Sequence, residues 1–387
     1  MKRILGVLLF LLSPIALCAP AARAQEPIRI GVPLALTGPL AVNGEDNRKG
    51  TLLYFEENGF QVAGRKVELI VEDTEGKPDV AITKVRKLVE RDKVHALIGI
   101  VNSAAAYAVR DYVHNQGVPL VITTAGAKDV TLARKSPAIF RVANDNTQEN
   151  LPLGHYTYTK LGYKTAVVMA ADFAAGREQA EAFMKTFTAA GGQVLQQVYA
   201  PLGTPDFAPF LGRVRFDQAD VIYTWFAGAD PIRLVNQLKE YGIRKPIVTH
   251  GAFVANYLLP SMGDAALGIL SAKHYSDVLD TSENRRFVNA FVQKYKVKPD
   301  AWAEQGYVGA KAVAEAVKAI GGKIEDRAAF LAALRKVRFE GPAGMVWFDD
   351  NQQRVFDVYI RKVEKVGNEY VNRVIDKIPN ASQSWTP

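Results

Sequence analysis

The feature that most constrains the fold of this chain is a regular alternation of short apolar runs and amphipathic segments, which stops once and then starts again. The first series predicts strands at Ile28–Pro33, Lys66–Glu72, Val94–Ile100 and Pro119–Thr123, separated by helices at Gly44–Asn58, Asp79–Arg91 and Ser103–Asn115. The second series predicts strands at Lys164–Ala170, Gln193–Tyr199, Ala219–Trp225 and Pro246–Thr249, with helices at Ala174–Ala190, Asp206–Arg215 and Asp230–Tyr241. Such alternation favours parallel strands with helices on both faces of each sheet. We therefore expect an α/β fold with two successive units and a passage between them at Ala138–Thr147.

Beyond Leu270 the pattern changes to helices followed by two strands. The helices are predicted at Ser282–Lys296, Ala301–Ile320 and Asp326–Val337, and the strands at Gly344–Phe348 and Arg354–Lys362. This segment is too small for a third domain, and two domains are the default for a chain of 387 residues. We expect the helices to return to the first unit and the last strands to the second.

The N-terminus has the three parts of a secretory signal peptide. Two basic residues start the chain, Ile4–Leu12 is an apolar core, and Ala22–Ala24 has the small-x-small pattern of a cleavage site. The apolar core is too short for a membrane anchor, and a lipoprotein beginning at Cys18 is disfavoured because a large residue precedes it. We expect residues 1–24 to be removed on export to the periplasm, together with the only cysteine, which leaves no disulfide.

Charge and motif content favour a binding protein over an enzyme. The formal net charge of +8 is spread along the chain, which indicates a solvated surface and no nucleic-acid partner. The sequence contains none of the nucleophile-elbow, zinc-hydrolase, phosphate-loop or dinucleotide motifs, and its five histidines lack metal-ligand spacing. We predict no catalytic residues, no metal and no cofactor. The alternatives from other classes are a secreted α/β hydrolase and a sensory subunit that signals to a membrane receptor.

Six blocks of sequence carry a resemblance to a known family. They are "IRIGVPLALTGPLAVNG", "VELIVEDTEGKPDVAITKVRKLVERDKVHALIGIVNSAAA", "GVPLVITTAGAKDVT", "FRVANDNTQ", "AVVMAADFAAGREQAEAF" and "FEGPAGMVWFDDNQQ". In this order they resemble the type I periplasmic solute-binding proteins, specifically the leucine/isoleucine/valine-binding group of ABC importers. The resemblance covers nearly all of the chain after the signal peptide.

The resemblance implies two Rossmann-like lobes joined by three crossovers, with a ligand clamped between them by hinge closure. The first lobe would comprise residues 25–142 and 273–348, and the second residues 143–272 and 349–387. It also implies a periplasmic protein that delivers its ligand to an ABC permease in the inner membrane, with a monomer as the default state. Sugar-operator repressors share the architecture, but the signal peptide and the lack of a DNA-binding segment argue against them.

The strongest predicted contact with the ligand is at "VNSAA", where Val101, Asn102 and Ser103 lead into a helix. Ser103 is predicted to be the N-cap, and its hydroxyl and the N–H groups of the first turn would bind a carboxylate, the use that the family makes of this position. A plain helix cap without a ligand is the alternative. The resemblance adds three contacts on neighbouring loops, namely Asn43, Thr124 and Ala125.

Four positions of the resemblance depart from the family's usual residues. Phe173 and Phe226 match positions that usually carry an aromatic hydroxyl, and core packing is the alternative for each. Gly126 and Ala252 stand where amino-acid binders present a threonine and a glutamate to the α-ammonium group. A buried ammonium without an acceptor costs several kcal/mol, so we predict a small organic carboxylate, with aromatic acids among the candidates. A branched-chain amino acid and a neutral amide such as urea are the alternatives.

Overall fold

A computed structural model describes residues 26–387, so the predicted signal peptide lies outside the described residues. The first lobe contains strands β1 (Ile28–Leu34), β2 (Gln61–Val62), β3 (Arg65–Asp73), β4 (Ala96–Gly99), β5 (Leu120–Ile122) and β6 (Ile139–Arg141). They form one sheet in the order β2–β3–β1–β4–β5–β6, parallel except for the β2–β3 hairpin. The intervening helices are α1 (Ala41–Glu57), α2 (Pro78–Arg86) and α3 (Ser103–Gln116).

The second lobe repeats this plan. Its first strands are β7 (Thr165–Ala171), β8 (Gln193–Ala200), β9 (Val221–Trp225), β10 (Ile247–His250) and β11 (Leu270–Lys273), all parallel. Its helices are α4 (Asn150–Thr159), α5 (Ala174–Ala189), α6 (Ala208–Leu211), α7 (Asp230–Glu240) and α8 (Leu259–Met262).

The C-terminal segment divides between the lobes. It contains α9 (Ser282–Tyr295), α10 (Ala301–Ala319), α11 (Arg327–Arg335), β12 (Phe339–Gly341), β13 (Gly344–Val346), β14 (Phe356–Val366) and β15 (Glu369–Ala381). α10 packs along α1 in the first lobe, whereas β14 and β15 extend the second sheet to the order β15–β14–β11–β10–β9–β7–β8. The chain thus passes between the lobes three times, after β6, β11 and β13. The prediction of two α/β lobes joined by three crossovers is confirmed.

Close packing of α1 on α10 fixes the position of the two helices relative to each other. A Cβ added at Gly50 would lie 1.9 Å from the carbonyl oxygen of Ala303, and one at Gly306 would lie 2.2 Å from that of Asn47. Only glycine allows the two backbones to approach this closely. The two helix starts are thereby held together on the side of the first lobe that faces the second.

Besides β2, β6, α4, α8, β11 and β12, which were not predicted, three elements differ from the sequence-based prediction. The strand predicted at Gly344–Phe348 pairs with β12 in a separate two-stranded sheet and does not join the second lobe. The helix predicted at Asp206–Arg215 is limited to the single turn of α6, which Gly212 ends. The long strand β15 was not predicted, because its many charged residues and Pro379 suit an exposed edge strand rather than a buried one.

Candidate ligand-binding site

A small cavity lies where the two lobes face each other. Its volume is about 70 Å³, which holds several water-sized groups and suits a small solute. The first lobe lines it with Leu40, Asn43, Val101, Asn102, Ser103, Thr124, Gly126 and Trp302. The second lobe and the connecting segments add Asn144, Asn146, Phe173, Ala175, Gln179, Trp225, Ala227, His250, Ala252 and Lys273. Seven of the nine predicted site residues therefore border one cavity.

The other two predicted site residues do not line it. Phe226 directly follows the cavity-lining Trp225, and successive residues of an extended chain point to opposite sides. Its ring is fully buried and meets the ring of Phe207 edge-on, with 5.0 Å between the centroids. The side chain of Ala125 is also fully buried, in the core around α3. Core packing, the alternative for Phe226, is the role that the structure gives it.

The start of α3 differs in one respect from the prediction. Asn102, and not Ser103, is the N-cap, since its side-chain oxygen accepts from the backbone N–H of Ala104 at 2.7 Å. The amide nitrogen of Asn102 donates to the carbonyl of Gly76 at 2.8 Å, which fixes the cap's orientation. Asparagine and serine are about equally good caps, so residue type alone could not separate the two. Ser103 is the first helical residue, and its side chain does not cap the helix.

The hydroxyl of Ser103 is positioned as a donor to the cavity. Asn146 donates its side-chain N–H to the Ser103 oxygen at 3.2 Å, so that oxygen already accepts one hydrogen bond. The hydroxyl hydrogen then remains for another acceptor. The backbone N–H groups of the first helical turn lie beside it and lack intrahelical partners, although that of Ala104 already donates to Asn102. An anionic oxygen is the group that such a cluster of donors binds best.

Asn47 holds the neighbouring part of the cavity together. Its side-chain N–H groups donate to the Thr124 hydroxyl at 3.0 Å and to the Trp302 carbonyl at 3.1 Å. Asn43, one helical turn earlier on α1, lines the cavity, is 4% exposed, and has no hydrogen-bond partner for its side-chain oxygen within residues 26–387. A buried acceptor of this kind is normally satisfied, so a ligand donor is its natural complement.

Aromatic rings form the apolar walls. Phe173 and Trp225 lie 5.6 Å apart between ring centroids and border the cavity from the second lobe. Trp302 borders it from the first. Flat apolar walls on both lobes suit the body of an aromatic or branched solute.

The prediction missed a buried lysine at the end of β11. Lys273 is 2% exposed and lines the cavity. Its ammonium donates to the side-chain oxygen of Asn144 at 3.0 Å and to a carboxylate oxygen of Glu149 at 3.4 Å. Burial lowers the pKa of Lys273, and the charge of Glu149 opposes that shift. A lysine ending an otherwise apolar strand, "LSAK", was the available signal, because parallel-strand ends meet at ligand sites.

His250 stands beside this lysine in one defined tautomer. Its Nδ1 accepts from the Trp225 indole N–H at 3.3 Å and from the backbone N–H of Ala252 at 3.2 Å. Both donors are permanent, so the ring proton is on Nε2, which contacts the carboxylate of Glu149. Burial and the adjacent Lys273 lower the pKa of His250 to about 4. The imidazole is therefore neutral at physiological pH.

The charges continue as a buried chain across all three passages between the lobes. Glu149 contacts Nδ1 of His274 at 2.7 Å, whose Nε2 lies 3.3 Å from Glu304, and Arg354 donates to Glu304 at 3.0 Å. Burial alone would raise the pKa of Glu149, but Lys273 and His250 hold it well below its ordinary value. The ion pairs thus tie the connecting segments to each other.

Gly126 and Ala252, where amino-acid binders of the family carry a threonine and a glutamate, both line the cavity. No carboxylate among the described residues does so. A Cβ at Gly126 would lie 2.2 Å from the side-chain oxygen of Asn146, so glycine is what allows that asparagine to reach Ser103. Within residues 26–387 no group of side chains could hold a metal ion.

A set of hydrogen bonds closes the lobes beside the cavity. Glu178 of α5 accepts from the Tyr107 hydroxyl of α3 at 2.7 Å and from the backbone N–H of Lys128 at 3.2 Å. Its third partner is Asn146, whose side-chain N–H donates at 2.8 Å. Because Asn146 also donates to Ser103, one amide joins the candidate carboxylate site to this closure, which we call the Glu178 latch.

Comparisons with known proteins agree with this architecture. A family model described as "Periplasmic binding protein" matches residues 27–368. The Leu/Ile/Val-binding protein homolog 6 of Brucella suis is 29% identical, and the match covers 94% of each chain. An ABC transporter substrate-binding protein from Sphaerobacter thermophilus is 42% identical, with a TM-score of 0.88 over 92% of this chain and 99% of that one. A solute-binding protein of an ABC transporter from Rhodopseudomonas palustris, solved with 3,4-dihydroxybenzoic acid, is 30% identical, with a TM-score of 0.88 over 93% and 99%.

Proposed function

The chain belongs to the periplasmic binding protein family, and on that premise we propose that it captures a small organic carboxylate without an α-ammonium group and delivers it to an ABC permease. One observation carries the choice of ligand. The cavity is bordered by donors and by the buried cation Lys273, while no carboxylate among the described residues borders it. A ligand ammonium would meet a like charge and no anionic partner there.

The α3 start is the proposed carboxylate site. The Ser103 hydroxyl and the first-turn N–H groups supply donors, and Asn146 sets the direction of the hydroxyl. Phe173, Trp225 and Trp302 would enclose the apolar body of the ligand. The bound 3,4-dihydroxybenzoic acid of the relative from R. palustris supports an aromatic acid as the first class to test.

Closure of the two lobes around the ligand is the proposed mechanism of capture. The predicted lobes, residues 25–142 with 273–348 and residues 143–272 with 349–387, would move as the two rigid bodies, except that Lys273 ends β11 and moves with the second lobe. A solute that contacts both lobes favours the closed state by its differential affinity for it. Removal of the signal peptide after Ala24 and release into the periplasm belong to the same proposal.

A thermal-shift panel tests the ligand class. We expect benzoate, its hydroxylated derivatives, 4-methylpentanoate and 4-methyl-2-oxopentanoate to stabilise the protein more than leucine, isoleucine and valine do. Ligand at one hundred times its dissociation constant stabilises by about 2.7 kcal/mol, which corresponds to a few degrees for a chain of this size. Stabilisation by leucine above its deaminated analogue would contradict the proposal.

Ala252→Glu provides the complementary test. It adds a carboxylate beside the cavity, so preference should move from the acids toward the amino acids in calorimetric titrations. Gly126→Thr is not a suitable companion change, because it would displace Asn146 and disturb Ser103. Ala328→Glu, at an exposed position of α11, is the control for adding a carboxylate outside the cavity.

A further inference from the structure

Lys273 has one more hydrogen to donate than the protein has acceptors for. An ammonium carries three N–H groups. Asn144 and Glu149 accept two of them, at 3.0 Å and 3.4 Å. The only other polar atom within hydrogen-bonding distance in the described part of the chain is Nε2 of His250, at 3.5 Å.

His250 cannot be the third acceptor. Its Nδ1 is occupied by two permanent donors, the Trp225 indole and the Ala252 backbone N–H. The neutral ring therefore carries its proton on Nε2, and a protonated nitrogen does not accept a hydrogen bond. One N–H of Lys273 is left unpaired in a residue that is 2% exposed and borders the cavity.

The unpaired N–H lies on the opposite lobe from the proposed carboxylate site. Ser103 follows β4 of the first sheet, whereas Lys273 ends β11 of the second. A buried donor without a partner is costly, and a group of the ligand is what remains to satisfy it. We infer that Lys273 is a specificity-determining residue that donates to a second oxygen of the ligand, separate from its carboxylate.

A hydroxylated acid fits this site best. A hydroxyl oxygen accepts from Lys273, and hydroxyl hydrogens are also the donors that the unpaired oxygen of Asn43 requires. This inference rests on the proposed function, since it refines the class of carboxylate that the cavity takes.

The wild-type protein alone can test the inference. The probes are benzoate with its 2-, 3- and 4-hydroxy derivatives, and 4-methylpentanoate with its 2- and 3-hydroxy derivatives, titrated calorimetrically. A hydrogen bond to a charged donor gives about a tenfold gain or more, so at least one hydroxy acid should bind tenfold more tightly than its parent. If the parent acids bind and no hydroxy derivative gains, the inference is overturned while the proposed function stands. If no acid binds, the proposed function itself fails.

Lys273→Met tests whether the Lys273 ammonium causes the gain in affinity of the hydroxy acid. In this variant both acids should weaken because a buried positive charge is lost, but the hydroxy acid should weaken about tenfold more, so that its advantage over the parent acid disappears. If the hydroxy acid kept its advantage in this variant, the inference would be overturned. Equal weakening of the parent and the hydroxy acid would also overturn it, because the carboxylate itself would then contact both Ser103 and Lys273. Lys311→Met is the matched control, since that lysine donates to the Glu340 carbonyl at 2.8 Å, away from the cavity. Circular dichroism verifies folding, and the wild-type titrations decide the matter if Lys273→Met does not fold.

Discussion

Among single residues, Ser103 and Asn102 divide two tasks that the sequence assigns to one. Asn102 caps α3, and Ser103 presents a hydroxyl whose oxygen already accepts from Asn146. Ligand affinity and helix stability should therefore respond to different substitutions.

Ser103→Ala should weaken carboxylate binding by about 1.5–3 kcal/mol, the range for a hydrogen bond to a charged group, and leave the stability of the ligand-free protein nearly unchanged. Asn102→Ala should instead cost the ligand-free protein about 1 kcal/mol, as the loss of a helix cap does. Calorimetric titration and thermal unfolding of both variants separate these effects. Unchanged affinity in Ser103→Ala would remove that hydroxyl from the site.

Most of the predicted site residues that follow predicted strands do line the cavity. Val101, Asn102, Ser103 and Thr124 come directly after apolar runs, and the ends of parallel strands gather at one edge of a sheet. The direction of a side chain was harder to predict: Phe226 and Trp225 are neighbours, and the one predicted to contact the ligand is the one that packs inward.

Among structural elements, the buried charge chain was out of reach of sequence reasoning. Its members come from segments as far apart as Glu149 and Arg354, and a charged residue in an apolar segment does not reveal its partner. This buried charge chain makes the stability of the folded protein depend on pH in the acidic range. His250 gives the clearest prediction.

The folded protein holds the pKa of His250 at about 4, below its ordinary 6.5, because of burial and the nearby Lys273. The unfolded chain takes up this proton first, so stability falls as the pH drops from 6.5 to 4. The loss from this group is about 2 kcal/mol between pH 7 and pH 4.5. Glu149 acts in a lower window, since its depressed pKa keeps its contribution until the pH falls below its ordinary 4.5.

His250→Gln should therefore reduce the drop in melting temperature between pH 7 and pH 4.5. His155→Gln is the control, because that half-buried ring lies against Trp385, outside the charge chain. An equally large drop in His250→Gln and in the wild type would show that His250 does not cause it.

The Glu178 latch links α3 to α5 and makes a second prediction at this level. Glu178→Gln replaces one acceptor oxygen by a donor and disrupts the bonds to Tyr107 and Lys128, which join the two lobes. The affinity for every ligand should fall by the same factor, about tenfold, because the closed state becomes less populated.

Glu181→Gln is the control for the latch, since its contact with Lys128 is exposed and 3.9 Å long. Calorimetry with two different acids measures the factor, and X-ray scattering of the ligand-free protein measures closure. A ligand-dependent factor would mean that Glu178 acts on the ligand and not on closure.

For the whole molecule, the two-lobe plan was predictable because each unit repeats the same strand–helix alternation. The closed arrangement was not, since it depends on contacts between segments distant in sequence. Gly228 illustrates this: it has a φ of +64°, and a Cβ there would lie 2.8 Å from the Pro39 carbonyl of the other lobe. Nothing in the sequence around Gly228 predicts that contact.

The solute that the closed lobes retain tests the proposed function most directly. The protein is purified without denaturation, native mass spectrometry measures the complex, and the released ligand is identified by its exact mass. We predict a small hydroxylated acid that contains a carboxylate and no nitrogen, because Ser103 and Lys273 border the cavity and no carboxylate of residues 26–387 does. Recovery of leucine, isoleucine, valine or urea would contradict it.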